Sequence, residues 1–269
     1  MATTDHLFAG SIPEIYDRFM APMLFESYAL DLAERLEKID PRSVLETAAG
    51  TGVLTRALLA HLSAHATIVA TDLNPPMVKH AAAKCEDPRV EWRVADALAL
   101  PFEDRRFDAV TCQFGAMFFP DKTRGYREAR RVLKSDGHFV FNVWDPIAEN
   151  EFADVVTEAL ATVFPGDPPR FMARVPHGYY NLKTIREELT AAGFTRISID
   201  SVKRTSKTSS PGDAAVGYCQ GTPMRNEIEA RDAARLEEAT GRAAEALALR
   251  FGQGPIEGRI KAFAIEAVC

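Results

Sequence analysis

Three acidic residues stand where short apolar runs of the sequence end. Glu46 lies in "VLETAAGTGVLT", Asp72 in "TDLNPPM" and Asp96 in "VADALALPF". Carboxylates at such positions can accept hydrogen bonds from hydroxyl and amino groups, and they attract cations. Gly50 and Gly52 lack a Cβ, so the chain can turn tightly after Glu46 and bring backbone N–H groups against a ligand. The pattern predicts a binding loop for a small polar molecule.

Two cofactors fit a glycine-rich turn of this kind, a dinucleotide and S-adenosylmethionine (SAM). The dinucleotide fingerprint G-x-G-x-x-G needs a third glycine for close helix–strand packing, and Thr55 stands at that position. The carboxylate of Glu46 would repel a pyrophosphate, whereas it would attract the ammonium and sulfonium groups of SAM. Asp72 can accept hydrogen bonds from ribose hydroxyls in either cofactor. The residues therefore favour SAM and leave an NAD(P)-dependent oxidoreductase as an alternative.

The elements that must position these residues alternate between strands and helices. Short apolar runs typical of buried strands occur at "SVLET", "TIVATD", "RVEWRVA", "FDAVTCQF" and "GHFVFNVW", and helical patterns fill the gaps between them. "RISIDSV" and "RIKAFAIEAV" supply a sixth and a seventh strand. This alternation predicts a parallel sheet wrapped by helices, in which ligands bind beyond the carboxyl ends of the strands.

Other segments do not follow this alternation and predict additional helices. Two helical patterns occupy residues 11–40, and Ser11 is expected to cap the first of them in a capping box with Glu14. The expected organisation is a lid, a core in three pieces and two insertions. These are an N-terminal helical lid at 1–42, a SAM-binding Rossmann-like core at 43–145, continued at 181–206 and 257–269, and helical cap insertions at 146–180 and 207–256.

Composition excludes several functional classes. The 269 residues are 46% hydrophobic, which is enough to bury a sizeable core, and the formal net charge of −6 argues against a broad basic surface for nucleic acid. The sequence has no signal-peptide pattern and no apolar stretch of the roughly 18 residues that a membrane span needs. The four cysteines are scattered without metal-ligand spacing. We expect a cytoplasmic protein without nucleic-acid, membrane or metal partners, and the oligomeric state stays open.

Four motifs in order resemble the class I SAM-dependent methyltransferases. They are "VLETAAGTG", "TDLNPPM", "VADALALPFEDRRFDAVTCQFGAMFFPD" and "REARRVLKSDGHFVF", which together cover about residues 43–144. The chain is most similar to the small-molecule branch that includes ubiquinone and menaquinone biosynthesis methyltransferases. The resemblance implies an α/β fold, with a Rossmann-like, doubly wound, seven-stranded, mostly parallel sheet whose last strand is antiparallel. It also implies methyl transfer from SAM to a small molecule.

The resemblance further implies which residues contact the cofactor. Two departures are visible, since Ala48 stands where the first glycine is usual and "KSDG" stands where "KPGG" is common. The implied contacts are Glu46, Ala48, Gly50 and Gly52 for the methionine part, Asp72 for the ribose, Leu73, Met77, Asp96 and Ala97 around the adenine, Gln113 and Phe114 facing the methyl donor, and Tyr16 as a lid over the cofactor.

The sequence does not single out a catalytic base. A sulfonium is already activated, so methyl transfer needs a base only when the acceptor must lose a proton. The candidates are His6, His138, His177, Tyr179 and Tyr180, of which His138 falls at a strand start and is expected to be structural. Because none stands out, a SAM-binding protein without catalysis is a further alternative.

Overall fold

A computed structural model of the protein describes Asp5, Leu7, Phe8 and residues 10–269. Its strands are β1 (Ser43–Glu46), β2 (Thr67–Asp72), β3 (Val90–Val94), β4 (Phe107–Gln113), β5 (Leu133–Trp144), β6 (Arg196–Thr208) and β7 (Ile256–Val268). Its α-helices are α1 (Ile12–Ile15), α2 (Glu26–Glu37), α3 (Val53–His61), α4 (Pro75–Lys84), α5 (Lys122–Val132), α6 (Glu151–Val163), α7 (Phe171–Arg174), α8 (Leu182–Ala191), α9 (Pro211–Gln220), α10 (Met224–Asp232) and α11 (Leu236–Phe251). A π-helical segment (Tyr16–Phe25) joins α1 to α2.

The strands form one sheet in the order β3-β2-β1-β4-β5-β7-β6. Neighbouring strands from β3 to β5 are parallel. Along β7 the chain runs opposite to β5, because the N–H of Cys269 donates to the carbonyl of Gly137 and the N–H of Asp145 donates to the carbonyl of Lys261. The predicted fold class, a mostly parallel seven-stranded sheet with an antiparallel end, is confirmed. The strand order reverses between β1 and β4, which is where such sheets bind ligands.

The first five strands explain the apolar runs seen in the sequence. β1, β2 and β4 are buried along almost their whole length, as expected for parallel strands covered by helices on both faces. On β5, the rings of Phe139 and Phe141 lie 4.5 Å apart and both contact Tyr126 of α5. β3 is the edge strand and is largely exposed. The central strands therefore hold the loops at their carboxyl ends on a rigid support.

The chain divides into two compact units. The first, here called the helical unit, comprises the described residues of Met1–Phe25 together with Trp144–Tyr179 and Lys203–Lys261. The second, the sheet unit, comprises Glu26–Val143, Tyr180–Val202 and Ala262–Cys269. No helix within the described residues is both long and apolar enough to cross a membrane.

Each unit has its own packing. In the helical unit, α11 packs against α6 and α9, and α9 packs on the π-helical segment. The hydroxyl of Ser206 donates to the carbonyl of Met23 over 2.9 Å. In the sheet unit, α2 packs against α3, α5 packs against α8, and the hydroxyl of Tyr28 donates to the carbonyl of Val202 over 3.1 Å. The division of the chain into a lid, a core and two cap insertions, proposed from the sequence, stays a prediction.

The expected capping box at Ser11 is wrong. Helix α1 does begin at Ile12, with Pro13 in its first turn, but the side chain of Ser11 makes no capping hydrogen bond. Its hydroxyl oxygen instead accepts a hydrogen bond from Nη1 of Arg225 at 2.9 Å. A guanidinium distant in sequence has replaced the local partner, so the capping rule failed through tertiary structure.

Candidate active site

The loop after β1 is held between the two neighbouring strands. The N–H of Thr47 donates to the carbonyl of Thr111 on β4, and the N–H of Ala49 donates to the carbonyl of Thr71 on β2, both over 2.9 Å. The loop between these anchors turns through Ala48, whose φ is 54°. An L residue pays a conformational cost in that left-handed region, which explains physically why a glycine is usual there.

Gly52 closes the loop in a left-handed conformation that favours glycine. Its φ is 79°, and it immediately precedes the first residue of α3. A Cβ added at Gly52 would lie 2.8 Å from Cη2 of Trp92, so the ring of Trp92 would have to shift to admit a side chain there. The glycine pattern read in the sequence therefore reflects both a left-handed turn and a close approach to a neighbouring ring.

Glu46 is a buried carboxyl group beneath this loop. It is 1% exposed, and Oε2 accepts a hydrogen bond from the hydroxyl of Thr55 at 2.6 Å. The pKa of Glu46 is raised to about 8, mainly by burial and also by the nearby charge of Asp72, while the Thr55 hydroxyl and the Arg56 guanidinium oppose the rise. A cation beside Glu46 would favour its ionised form.

Thr55 explains why the dinucleotide fingerprint is interrupted. The residue is fully buried on the first turns of α3, at the position where the fingerprint has its third glycine. Its hydroxyl is the direct partner of Glu46. Thr55, which interrupts the dinucleotide pattern, is thus the hydrogen-bond donor to Glu46, the acidic residue at the end of β1. The sequence did not predict this pairing.

Asp72 connects the loop after β1 to the start of α4. The carboxyl group is 7% exposed; Oδ2 accepts from the N–H of Gly50 at 2.9 Å, and Oδ1 accepts from the N–H of Asn74 at 2.8 Å and its Nδ2 at 3.2 Å. Burial raises the pKa of Asp72, and the hydrogen bonds from Asn74 and Gly50 oppose that rise. Since a carboxylate has roughly four acceptor sites, Asp72 keeps capacity for a ligand hydroxyl.

The residues expected around an adenine lie beside the ends of β2 and β3. Leu73 is 49% exposed, whereas Met77 on α4 is buried at 2% exposure. Asp96 is exposed, and its Oδ1 accepts from the N–H of Leu98 at 2.8 Å in a local turn. Ala97, which follows Asp96 in the sequence, is half-buried. An apolar side chain and an acidic side chain are thus both exposed at this edge, as a base-binding position requires.

The end of β4 lies against the same loop. Gln113 is half-buried, and Phe114 is buried with a φ of 49°. The N–H of Phe114 donates to Oδ1 of Asn142 over 2.8 Å, and its ring meets the ring of Tyr28 edge-on at 5.3 Å. The strand ends β1, β2 and β4 are therefore joined by a continuous set of short contacts.

We expect Gly115→Ala to destabilise this junction. A Cβ at Gly115 would lie 2.4 Å from Cβ of Ala48 and 2.7 Å from Sγ of Cys112, so the loop and strand must move apart. Overpacking of this kind costs about 1–3 kcal/mol of unfolding free energy. Urea denaturation of the variant measures that loss. Gly166→Ala is the matched control, since a Cβ there meets nothing within 4 Å; equal stability of the two variants would contradict the close approach.

Tyr16 and His177 both belong to the helical unit. The ring of Tyr16 stacks on Phe25 at 5.0 Å, and the lid role expected for it stays a prediction. His177 is 4% exposed; its Nδ1–H donates to the carbonyl of Asp145 at 3.0 Å, and burial lowers its pKa to about 4. His177 is therefore a neutral imidazole at pH 7, and a weak base.

The other candidate bases differ in their surroundings. Nδ1 of His138 lies 2.6 Å from Oε1 of Glu266 on β7, a contact between two strands that is in keeping with the structural role expected of His138. Tyr180 is 43% exposed, and Tyr179 is half-buried. His6 lies outside the described residues. No base is assigned among these side chains.

Two buried polar atoms of the sheet unit have no hydrogen-bond partner within the described part of the chain. They are Oγ1 of Thr51, in the loop after β1, and Nδ2 of Asn142, near the end of β5. Each residue is 1% exposed. Sequence analysis named neither, although a signal existed for Asn142, an amide that interrupts the apolar run "FVFNVW". Unpaired buried polar atoms beside a glycine loop fit a site that completes its hydrogen bonds with a ligand.

The segment that carries the glycine loop is similar in sequence to known proteins. The profile of the family described as "Methyltransferase domain" matches residues 45–141. The chain is 38% identical over 149 residues to the demethylmenaquinone methyltransferase of Thermus thermophilus, covering 55% of this chain and 66% of that protein. It is 40% identical over 109 residues to the demethylmenaquinone methyltransferase of Thermotoga maritima, covering 40% of this chain and 46% of that protein. The chain thus spans between about half and two thirds of these relatives.

A solved structure supports the fold over the whole chain. It is described as a SAM-dependent methyltransferase, possible histamine N-methyltransferase, from Thermotoga maritima; the TM-score is 0.57 at 15% identity, with 98% of each chain covered. Methyltransferases of the matched family use S-adenosylmethionine as their methyl donor. Residues 45–141 of this chain, which carry the glycine loop and its acidic residues, match the methyltransferase domain family, and the sheet has the Rossmann-like fold of the solved methyltransferases.

Proposed function

We propose that the protein transfers a methyl group from SAM to a small molecule. The observation that carries this proposal is the placement of two buried carboxyl groups around one glycine loop where the strand order reverses: Asp72 accepts from the N–H of Gly50 in the loop, and Glu46, just before the loop, accepts from Thr55 on the helix that follows it. An acid under the loop suits a cationic ligand, and an acid at the end of the next strand suits ribose hydroxyls. These demands match SAM better than a dinucleotide.

Bound SAM would supply a methyl group on a sulfonium that is already activated toward nucleophiles. In the proposed arrangement, Glu46 stabilises the cationic methionine end, and Asp72 accepts hydrogen bonds from the ribose. Asp96 accepts from the adenine amino group, and the N–H of Ala97 donates to a ring nitrogen. The remaining task of the protein is to hold the acceptor in line with the methyl group in a site that excludes water.

The names of the relatives suggest which acceptor to try first. Both bacterial relatives are demethylmenaquinone methyltransferases, so we propose a hydroquinone or related phenol as the acceptor class. Methyl transfer to such a ring proceeds most readily from the phenolate. In the phenolate the oxygen carries a negative charge that is delocalised into the ring, which makes the oxygen and the ring carbons better nucleophiles. The cytoplasmic location expected from the sequence belongs to the same proposal and is checked by cell fractionation.

A binding experiment followed by a turnover experiment tests the proposal. Protein checked by mass spectrometry to be free of ligand is titrated with S-adenosylhomocysteine (SAH), SAM and NADH in parallel calorimetric experiments. We expect micromolar or tighter binding of the first two and none of NADH. Incubation with SAM and 1,4-naphthohydroquinone under anaerobic conditions should then give a methylated product and SAH. Binding of NADH alone would overturn the cofactor assignment, and SAH binding without turnover of any acceptor would favour a non-catalytic SAM-binding protein.

A further inference from the structure

The side-chain amide of Asn142 is a buried hydrogen-bond donor whose direction is fixed. Asn142 lies on β5 opposite Gln113 of β4 and is 1% exposed. The backbone N–H of Phe114, 2.8 Å away, can only donate, so the Asn142 atom that faces it is the carbonyl Oδ1. Nδ2 therefore points away from Phe114 with two N–H groups. The Phe114 contact thus determines which end of the amide is available.

Nδ2 of Asn142 has no hydrogen-bond partner among the residues that the structure describes. Leaving a buried donor unpaired costs stability, and folded proteins rarely tolerate it outside functional sites. The atom is next to the end of β4, where Phe114 adopts a left-handed φ of 49°. Strained backbone and an unpaired polar atom thus occur together at the carboxyl edge of the sheet, where ligands bind.

The sheet order indicates which ligand Asn142 meets. In the proposed function, the adenine and ribose are bound at β3 and β2 through Asp96 and Asp72, and the methionine end is bound at β1 through Glu46. Beyond β1 the sheet continues to β4 and then to β5. Asn142 on β5 therefore lies past the methionine end, on the side opposite the nucleoside. If SAM is bound in that way, the molecule that receives the methyl group would approach from this side of the sheet.

We propose that Nδ2 of Asn142 donates a hydrogen bond to an oxygen of the methyl acceptor, and so selects phenols, enols or carboxylates over amines that are protonated when they bind. This inference rests on the proposed function. An N–H donor stabilises an oxyanion or a carbonyl, whereas a protonated amine has only hydrogens to offer and would face Nδ2 unfavourably. Asn142 neither takes nor gives a proton. It is a binding residue that positions the acceptor oxygen.

Two substitutions separate this role from support of Phe114. N142D keeps an oxygen that accepts from the Phe114 N–H and removes both N–H donors. N142A removes the donors and the acceptor together. Each variant and the wild type are saturated with SAH and titrated by calorimetry with 1-naphthol and with 1-naphthylmethylamine, which is a cation of similar size. A thermal unfolding curve is measured for each variant to check that it is folded.

We expect wild type to bind 1-naphthol in preference to the amine, and both variants to bind 1-naphthol about tenfold more weakly. SAH affinity should stay within about twofold of wild type in both. Wild-type affinity for naphthol in N142D, with a loss only in N142A, would show that Asn142 merely supports Phe114 and would overturn the proposal. So would a parallel loss of SAH affinity, a preference of wild type for the amine, or absence of naphthol binding. Failure of wild type to bind SAH would instead refute the proposed function.

Discussion

Replacing Asp72 with alanine is expected to weaken SAH binding by about 10- to 100-fold, because hydrogen bonds to a charged group are worth about 1.5–3 kcal/mol. The substitution also removes the acceptor for the N–H groups of Gly50 and Asn74, which the carboxylate holds at 2.9 and 2.8 Å. Two effects are therefore combined in one variant, loss of a ribose partner and loosening of the glycine loop. Calorimetry with SAH measures their sum.

A pair of ligands separates the two effects of Asp72→Ala. Adenosine and 2′-deoxyadenosine differ by one ribose hydroxyl, so their affinity ratio reports contacts to that hydroxyl. If Asp72 binds the ribose, the wild type prefers adenosine and the variant loses the preference. If Asp72 only holds the loop, the variant binds both nucleosides more weakly and keeps the same ratio. Asp72→Asn, which retains one carbonyl acceptor and lacks the charge, is the control for side-chain shape.

The arrangement of the central strands could be predicted from the sequence because it depends on local patterns. The apolar runs of β1, β2 and β4 are buried on both faces, and the burial of β2 from Ile68 to Asp72 is continuous. The turn at Gly50 and Gly52 could also be predicted, because backbone φ values of 56° and 79° favour glycine over other residues. Local conformational requirements thus determined both the strands and the loop that leads from β1 into α3.

The contacts that complete the site were not predictable because they join distant segments. The partner of Glu46 is Thr55, on the following helix, and the partner of the Phe114 N–H is Asn142, on the next strand. No periodicity distinguishes these polar residues from neighbours that face solvent or core. The same reasoning explains the failure at Ser11, where Arg225 supplied a contact that the local motif did not foresee.

The Glu46→Gln substitution is expected to abolish a proton release that accompanies SAM binding. Burial raises the pKa of Glu46 to about 8, so the carboxyl group of the ligand-free protein is mostly protonated at pH 7. A bound cation favours the carboxylate, and the proton must leave as the ligand binds. Calorimetry at pH 7 in two buffers of different ionisation enthalpy should show release of close to one proton for wild type and of none attributable to residue 46 in the variant.

The same group predicts opposite pH trends for stability and for affinity. The pKa of this carboxyl group rises from 4.5 to about 8 on folding, so the folded protein keeps the proton at pH values where the unfolded chain has lost it. The unfolding free energy should therefore decrease as the pH is raised from about 4.5 to about 8. Over the upper part of that range, SAM affinity relative to the variant should increase, because the carboxylate becomes available. The amino group of SAM also titrates near pH 8, but it does so equally with both proteins, and the variant therefore serves as the reference.

The magnitude and selectivity of the Glu46→Gln effect decide what the carboxylate does. Above pH 8 we expect SAM to bind the variant about 10- to 100-fold more weakly, while adenosine, which has no cationic end, is affected less. Glu187→Gln, at an exposed glutamate of α8 that is 64% accessible, is the control for loss of one negative charge and should bind both ligands as wild type does. Equal losses for SAM and adenosine would show instead that Glu46 acts only through its 2.6 Å hydrogen bond to Thr55, by holding the loop in shape.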